Sequence, residues 1–259
     1  MNLEIRNLST GYRLRGGDRV ISSGLNAGLS VGSLTCLLGP NGSGKSTLLR
    51  TVAGLQPALG GEIVIGGVGL DSLDIGGRAR MVGVVLTSGV GLGSMSVWEL
   101  VAMGRSPHTG FWGRLTAHDE GVVAESLRLV GMEGFARRRL HTLSDGERQK
   151  VMIAKAIAQE TPVILLDEPT AFLDYPGKVR MMLLLHRLAH ELGRTVLLST
   201  HDVEQALVVA DMVWLLDAGR PLVSGTPQGL SQRGLIGDYF DCEEIVYDAA
   251  KMRFDIINF

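Results

Sequence analysis

The octapeptide Gly39-Pro40-Asn41-Gly42-Ser43-Gly44-Lys45-Ser46 constrains this chain more than any other feature. It fits the pattern G-x-x-x-x-G-K-[ST], which works only as a loop between a strand and the first turn of a helix. The glycines let the backbone bend so that successive N–H groups point inward at phosphate oxygens. The helix that follows aims its positive end at the same anion. The flanks match this requirement. Residues 34–38 form a short apolar run that suits a buried strand, and residues 46–53 have helical character. Gly39, Asn41, Gly42, Ser43, Gly44 and Thr47 are then expected to line a phosphate cradle. Lys45 is expected to reach the β- and γ-phosphates of a nucleotide as a point charge, and the Ser46 hydroxyl to ligate Mg²⁺.

The remainder of the chain supplies the sheet such a loop needs. Strand texture recurs at residues 3–8, 62–65, 81–86, 163–166, 195–198 and 213–216, with helical patterns at 179–192 and 203–210. The glycine pairs at 60–61, 66–67 and 76–77 read as turns between them. Strands alternating with helices predict an α/β fold with a largely parallel sheet. Between 89 and 159 the apolar spacing is helical, at 97–103, 117–130 and 147–158, which predicts an α-helical subdomain inserted between two core segments, 1–88 and 160–230. Residues 231–259 are read as a tail in which 245–248 and 253–257 pair as a small hairpin.

Composition narrows the classes. Hydrophobic residues make up 45% of the 259, enough for a sizeable core. A net charge of -2 without a basic stripe argues against a nucleic-acid partner. No apolar run approaches the ~20 residues that span a bilayer, and MNLEIRNLSTGYRLRGG is not a secretory signal. The expectation is a soluble intracellular protein that serves a membrane, if at all, by docking. Cys36 and Cys242 sit in no metal-ligand spacing, and Cys36 reads as a core residue.

Val163-Ile164-Leu165-Leu166-Asp167-Glu168 is an apolar strand ending in two acids. Beside a phosphate loop, Asp167 is expected to hold Mg²⁺. Glu168 is expected to act as general base toward the water that attacks the γ-phosphate. His201 follows another strand and is placed to contact that phosphate. The other five histidines read as surface or packing residues. His186 and His190 have a helical metal spacing but no third ligand in view.

These motifs, in this order, resemble those of ABC-type ATPases over nearly the whole chain. Leu143-Ser144-Asp145-Gly146-Glu147 is similar to the LSGGQ signature, with Asp third and Glu fifth. Tyr12 stands where the family places an aromatic ring against adenine, Ala171-Phe172-Leu173-Asp174 resembles the D-loop, and His201 the switch histidine. The resemblance implies a P-loop NTPase (RecA-like) core. It implies ATP and Mg²⁺ as ligands and a head-to-tail homodimer. In that dimer Ser144, Asp145 and Gly146 of one subunit, with Asp174, meet the ATP held by the other. One departure is Thr87 with Ser88, where the family has a glutamine near the metal. The shorter Thr87 hydroxyl can still meet a metal-bound water, with slower hydrolysis or altered coupling as the consequence.

The stretch from Trp98 to Gly110, with its E-L-V-x-x-G-R-x-P pattern, is similar to ATPases of iron-chelate, haem and cobalamin importers. That resemblance implies a permease dimer as partner, a substrate-binding protein acting indirectly, and a peripheral place on the cytoplasmic face of the membrane. A ferric siderophore is the favoured cargo, ahead of cobalamin or haem. Two other classes remain open from the sequence. One is a soluble ABC ATPase of DNA repair or translation, against which stand the single phosphate loop and the lack of a long heptad run. The other is a weakly hydrolysing regulator, which Thr87 suggests. Arg137-Arg138-Arg139 reads as a solvated charge cluster.

Overall fold

A computed structural model describes residues 2–86, 94–110 and 112–257. The chain opens with two long antiparallel strands, β1 (Leu3–Leu14) and β2 (Gly17–Leu29). The fully buried β3 (Leu34–Leu38) leads through the glycine loop into α1 (Lys45–Val52). Next come β4 (Gly60–Ile65), β5 (Val68–Gly69), α2 (Ile75–Met81) and β6 (Val82–Val85). Three helices follow, α3 (Val97–Ala102), α4 (Ala117–Leu129) and α5 (Asp145–Ala158), and they pack on one another. The alternating pattern then resumes with β7 (Val163–Asp167), α6 (Tyr175–His190), β8 (Thr195–Ser199), α7 (Val203–Val209) and β9 (Met212–Leu215). The C-terminal part comprises β10 (Val223–Gly225), α8 (Pro227–Gln232), α9 (Leu235–Phe240), β11 (Ile245–Asp248) and β12 (Arg253–Ile256).

The central sheet has the order β10-β9-β3-β8-β7-β6, parallel except for the antiparallel edge strand β10. Because side chains alternate across a strand, a sheet covered on both faces reads as a continuous apolar run. Cys36, Ile164, Leu166, Val196, Leu198 and Val213 point to one face, toward α3 to α7. Leu37, Leu165, Leu197 and Trp214 point to the other, toward α1 and the antiparallel sheet β2-β1-β4-β5. The three helices share the first of these cores with the sheet, through Val97, Leu100, Val101, Val123, Leu127 and Val151.

Several local expectations need correction. The strand at 3–8 continues to Leu14 and pairs with β2, a strand with only a sparse pattern of buried residues. The glycines at 60–61 open β4 rather than a turn. A Cβ on Gly61 would lie 2.3 Å from the Asn7 carbonyl oxygen, beside the register shift between Arg6 and Ser9. The pair at 76–77 lies inside α2, where the Asp74 side chain accepts from the Gly77 N–H at 2.6 Å and starts the helix. The strand expected at 81–86 is shorter, since Met81 still belongs to α2. Helix α5 begins at Asp145, two residues before the apolar periodicity, because Ser144 caps it. Helix α6 begins at Tyr175, capped by Asp174.

Candidate functional site

The glycine loop takes its shape from two close approaches. A Cβ on Gly39 would lie 1.9 Å from the Leu216 carbonyl oxygen, and one on Gly44 would meet Ile21 at 2.7 Å. Gly44 also caps α1 from the left-handed region, at φ 98°, which only glycine adopts at little cost. Lys45 is buried and bends back over its own loop, donating to the carbonyls of Gly39 at 2.8 Å and Pro40 at 3.0 Å. Burial pulls its pKa below the usual lysine value, while the charges of Glu168 and Asp167 act in the opposite direction. An incoming phosphate would favour the charged form further. The buried Ser43 hydroxyl has no hydrogen-bond partner among the described residues. That is the state expected of a donor reserved for a ligand.

The parallel register of β7 and β8 places Asp167 opposite Ser199. Ser199 donates to Asp167 Oδ1 at 2.7 Å and Ser46 donates to the same oxygen at 3.0 Å. Asp167 is almost fully buried. A hydroxyl and a carboxylate converging in this way form a hard-oxygen pair, which fits Mg²⁺. Among the described residues no cluster of three or more His, Cys, Asp or Glu could hold a metal; Ser46 and Asp167 are the residues that would hold this ion. Glu168 has φ 48°, uncommon for a residue with a side chain. Its N–H donates to the Ser199 carbonyl at 3.2 Å and the Ser199 hydroxyl at 3.0 Å. Glu168 borders the cavity of the phosphate loop, with Oε2 3.5 Å from His201 Nδ1.

Tyr12, Asn41, Gly42, Gly44, Lys45, Ser46, Thr47 and Glu168 line one cavity of about 400 Å³, together with Arg19 and Ile21. The Tyr12 hydroxyl and Thr47 Oγ1 are 3.3 Å apart, and the ring is partly exposed. Gly39, Asn41 and His201 border a second cavity of about 1100 Å³ that runs along α6 and α7 to Phe254. The chain thus gathers the phosphate-loop residues, Asp167, Glu168, His201 and Tyr12 in one region.

Ser144, Asp145 and Gly146 line neither cavity. The Ser144 hydroxyl accepts from the Glu147 N–H at 3.3 Å and donates to the Glu147 carboxylate at 3.0 Å. That carboxylate also accepts from the Ser144 N–H at 2.8 Å, which makes a reciprocal capping box. Asp145 is exposed and 3.5 Å from Arg148. Gly146 sits in the first turn of α5, where a Cβ would meet Leu173 at 2.8 Å. Asp174 is occupied in capping α6, accepting from Gly177 N–H at 3.0 Å. Thr87 lies outside the described residues. The rings of His186 and His190 stack with centroids 4.0 Å apart. Both His190 nitrogens are engaged, by the His186 carbonyl and Asp211.

Sequence reasoning missed Ser199, which ties Asp167 to Glu168. Its only signal is a polar residue closing an apolar strand two positions before His201. It also missed Arg19, which reaches the cavity because β2 pairs it with Tyr12.

Comparison with known proteins shows the family to which the chain belongs. A family model described as ABC transporter matches residues 22–171. The iron(3+)-hydroxamate import ATP-binding protein of Bacillus subtilis is 34% identical over 248 residues, covering 95% of this chain and 91% of the relative. A metal-chelate type ABC transporter in an inward-facing conformation superposes with a TM-score of 0.79 at 29% identity, covering 92% of this chain and 88% of the other. A dimeric ATP-binding cassette in a post-hydrolysis state with ADP and Pi gives a TM-score of 0.74 at 26% identity, covering 87% of this chain and 98% of the other.

Proposed function

This chain belongs to the ABC transporter family as an ATPase subunit, and we propose that it powers an importer of ferric siderophores from the cytoplasmic face of a membrane. The carrying observation is the contact of Ser46 and Asp167 at 3.0 Å, beside the buried Lys45 and the cavity-lining Glu168.

In this reading the loop N–H groups and Lys45 hold the β- and γ-phosphates, and Tyr12 packs on the base. Ser46 and Asp167 would hold Mg²⁺, which supplies neutralisation of phosphate charge when bound. Glu168 orients the attacking water and takes its proton, and His201 contacts the γ-phosphate from the next strand. Ser144 and the N-terminus of α5 come from a second copy and close over the γ-phosphate. The helical subdomain at 89–159 faces the permease dimer, which a substrate-binding protein feeds, and residues 231–259 are a C-terminal tail whose Ile236 and Tyr247 pack into the core beside α7.

Among the described residues no helix is long and apolar enough to cross a membrane, and in this reading the partner permease provides the path. The iron-hydroxamate relative supports the siderophore over the alternatives, cobalamin and haem. The test is uptake of ⁵⁵Fe-hydroxamate by vesicles carrying the assembled transporter with ATP inside. ATP-dependent accumulation that Glu168→Gln abolishes is the expected result. Accumulation of cobalamin or haem in its place would overturn the cargo assignment and leave the ATPase reading intact.

A further inference from the structure

The importer-like stretch of the sequence has a structural meaning separate from cargo. After α3 the chain makes a tight turn at Met103–Arg105. A Cβ on Gly104 would lie 2.4 Å from the Lys155 carbonyl oxygen and 3.2 Å from the Ala158 Cβ. Glycine therefore lets this turn lie directly on the last turn of α5. Arg105 comes next, its side chain only 3% exposed. Its guanidinium donates to Asp119 Oδ1 at 2.9 Å, to the Ala158 carbonyl at 2.7 Å and to Glu160 Oε2 at 2.6 Å.

Each partner belongs to a different element. Ala158 is the final residue of α5, so its carbonyl is one of those a helix leaves unsatisfied, at the end favourable to a cation. Asp119 also caps α4, accepting from the Thr116 hydroxyl at 2.7 Å and its N–H at 2.9 Å. These bonds, with the Arg105 donor after them, hold its carboxyl well below the usual range. Glu160, at φ 53°, forms the turn from α5 into β7, the strand that ends in Asp167. His108 adds a contact of 2.9 Å to the Gln159 carbonyl, and Arg80 donates to the Pro107 carbonyl at 3.0 Å.

We infer that Arg105 is a positioning residue that fixes the pose of α5, and through it the Ser144 turn, from the far end of that helix. This rests on the reading that Ser144 acts on ATP held by a second copy. The 14 residues of α5 form a rod of about 21 Å. A tilt of about 5° at the Arg105 end therefore moves the Ser144 end by about 2 Å, enough to spoil a hydrogen bond to phosphate. Arg105 touches no nucleotide, so its loss should leave ATP binding to a single subunit intact and reduce hydrolysis.

The test uses the full chain and the double variant Arg105→Met/Asp119→Asn. Replacing both members of the pair avoids an orphaned buried charge, the usual cause of unfolding in such cases. The expected result is a native circular dichroism spectrum and MgATP affinity unchanged at protein concentrations too low for dimers. The maximal phosphate-release rate falls by about 10- to 100-fold, KM is unchanged, and more protein is needed for half-maximal rate. Arg105→Lys keeps the charge and should give an intermediate rate, and it carries the test alone if the double variant unfolds. A folded variant hydrolysing at the wild-type rate, or a fall in ATP affinity equal to the fall in rate, would overturn the inference. The reading beneath it fails differently: wild-type rate per subunit would then be independent of protein concentration and indifferent to Ser144→Ala.

Discussion

The phosphate loop and the signature turn are both helix starts proposed to meet phosphate, yet the structure treats them in opposite ways. Around Lys45 and Asp167 the charged groups are buried and already joined, the Asp167 carboxylate accepting on one oxygen from the buried Ser199 and the exposed Ser46. Around Ser144 the polar groups are exposed and satisfied by a neighbour, the Glu147 carboxylate. Buried polar groups must keep their partners, whereas an exposed cap can exchange its partner at small cost. The contrast suits a site with one half prebuilt in each subunit and the other half delivered by a moving surface.

The sharpest way to break this contrast is at Glu168. Glu168→Gln keeps the size and the turn but removes the base, so phosphate release should fall by about 10³-fold while an ATP-bound dimer accumulates. Phosphate release and size-exclusion chromatography read both. A strictly monomeric profile with ATP would count against the shared site. Next in size, Lys45→Ala removes the buried cation of the phosphate loop. ATP affinity measured by equilibrium dialysis should weaken by about 100-fold, or roughly 3 kcal/mol, with thermal stability of the free protein little changed. Retained affinity would refute the role given to the loop.

On the other side of the comparison, Glu147→Gln should act in the opposite direction. It keeps a capping residue but removes a negative charge from the turn proposed to meet the γ-phosphate. The ATP-driven dimer should tighten several-fold, an effect that shrinks as salt is raised. Weaker dimerisation would show that Glu147 stays on Ser144 in the active form. The smallest effect concerns acid. Asp119 is depressed in the folded state, so its stabilising contribution is complete above its unfolded pKa of about 3.9 and is lost as pH falls below that value. Thermal midpoints should therefore be flat with respect to this group from pH 7 to 5. Asp119→Asn should lower the midpoint throughout, because it leaves the buried Arg105 one carboxylate short, and should flatten the drop below about pH 4; parallel profiles for the two proteins would contradict the second effect.

Much of this arrangement was legible because its chemistry is contiguous. A loop of eight residues between an apolar run and a helix, and an apolar strand ending in Asp167 and Glu168, carry their own context in the chain. What could not be read depends on distant register. Ser199 meets Asp167 across 32 positions, and Arg105 meets Glu160 across 55. Neither contact leaves a local pattern. Strand β2 escaped because few of its side chains are buried, so the period-two signal is faint. The glycines at 76–77 were misread as a turn because composition shows flexibility but not the cap at Asp74 that overrides it. The Gly104-Arg105 pair was legible only as a family resemblance; its packing against α5 needed coordinates.

A mixing experiment addresses the shared site most directly. Lys45→Ala lacks a working loop and Ser144→Arg lacks a working signature turn, so each alone should be nearly inactive. Combined in equal amounts, half of the dimers pair one of each, and in these one of the two sites is whole. Phosphate release should then return to about one quarter of the wild-type rate. Two folded proteins that stay inactive when mixed would contradict a site built from two copies.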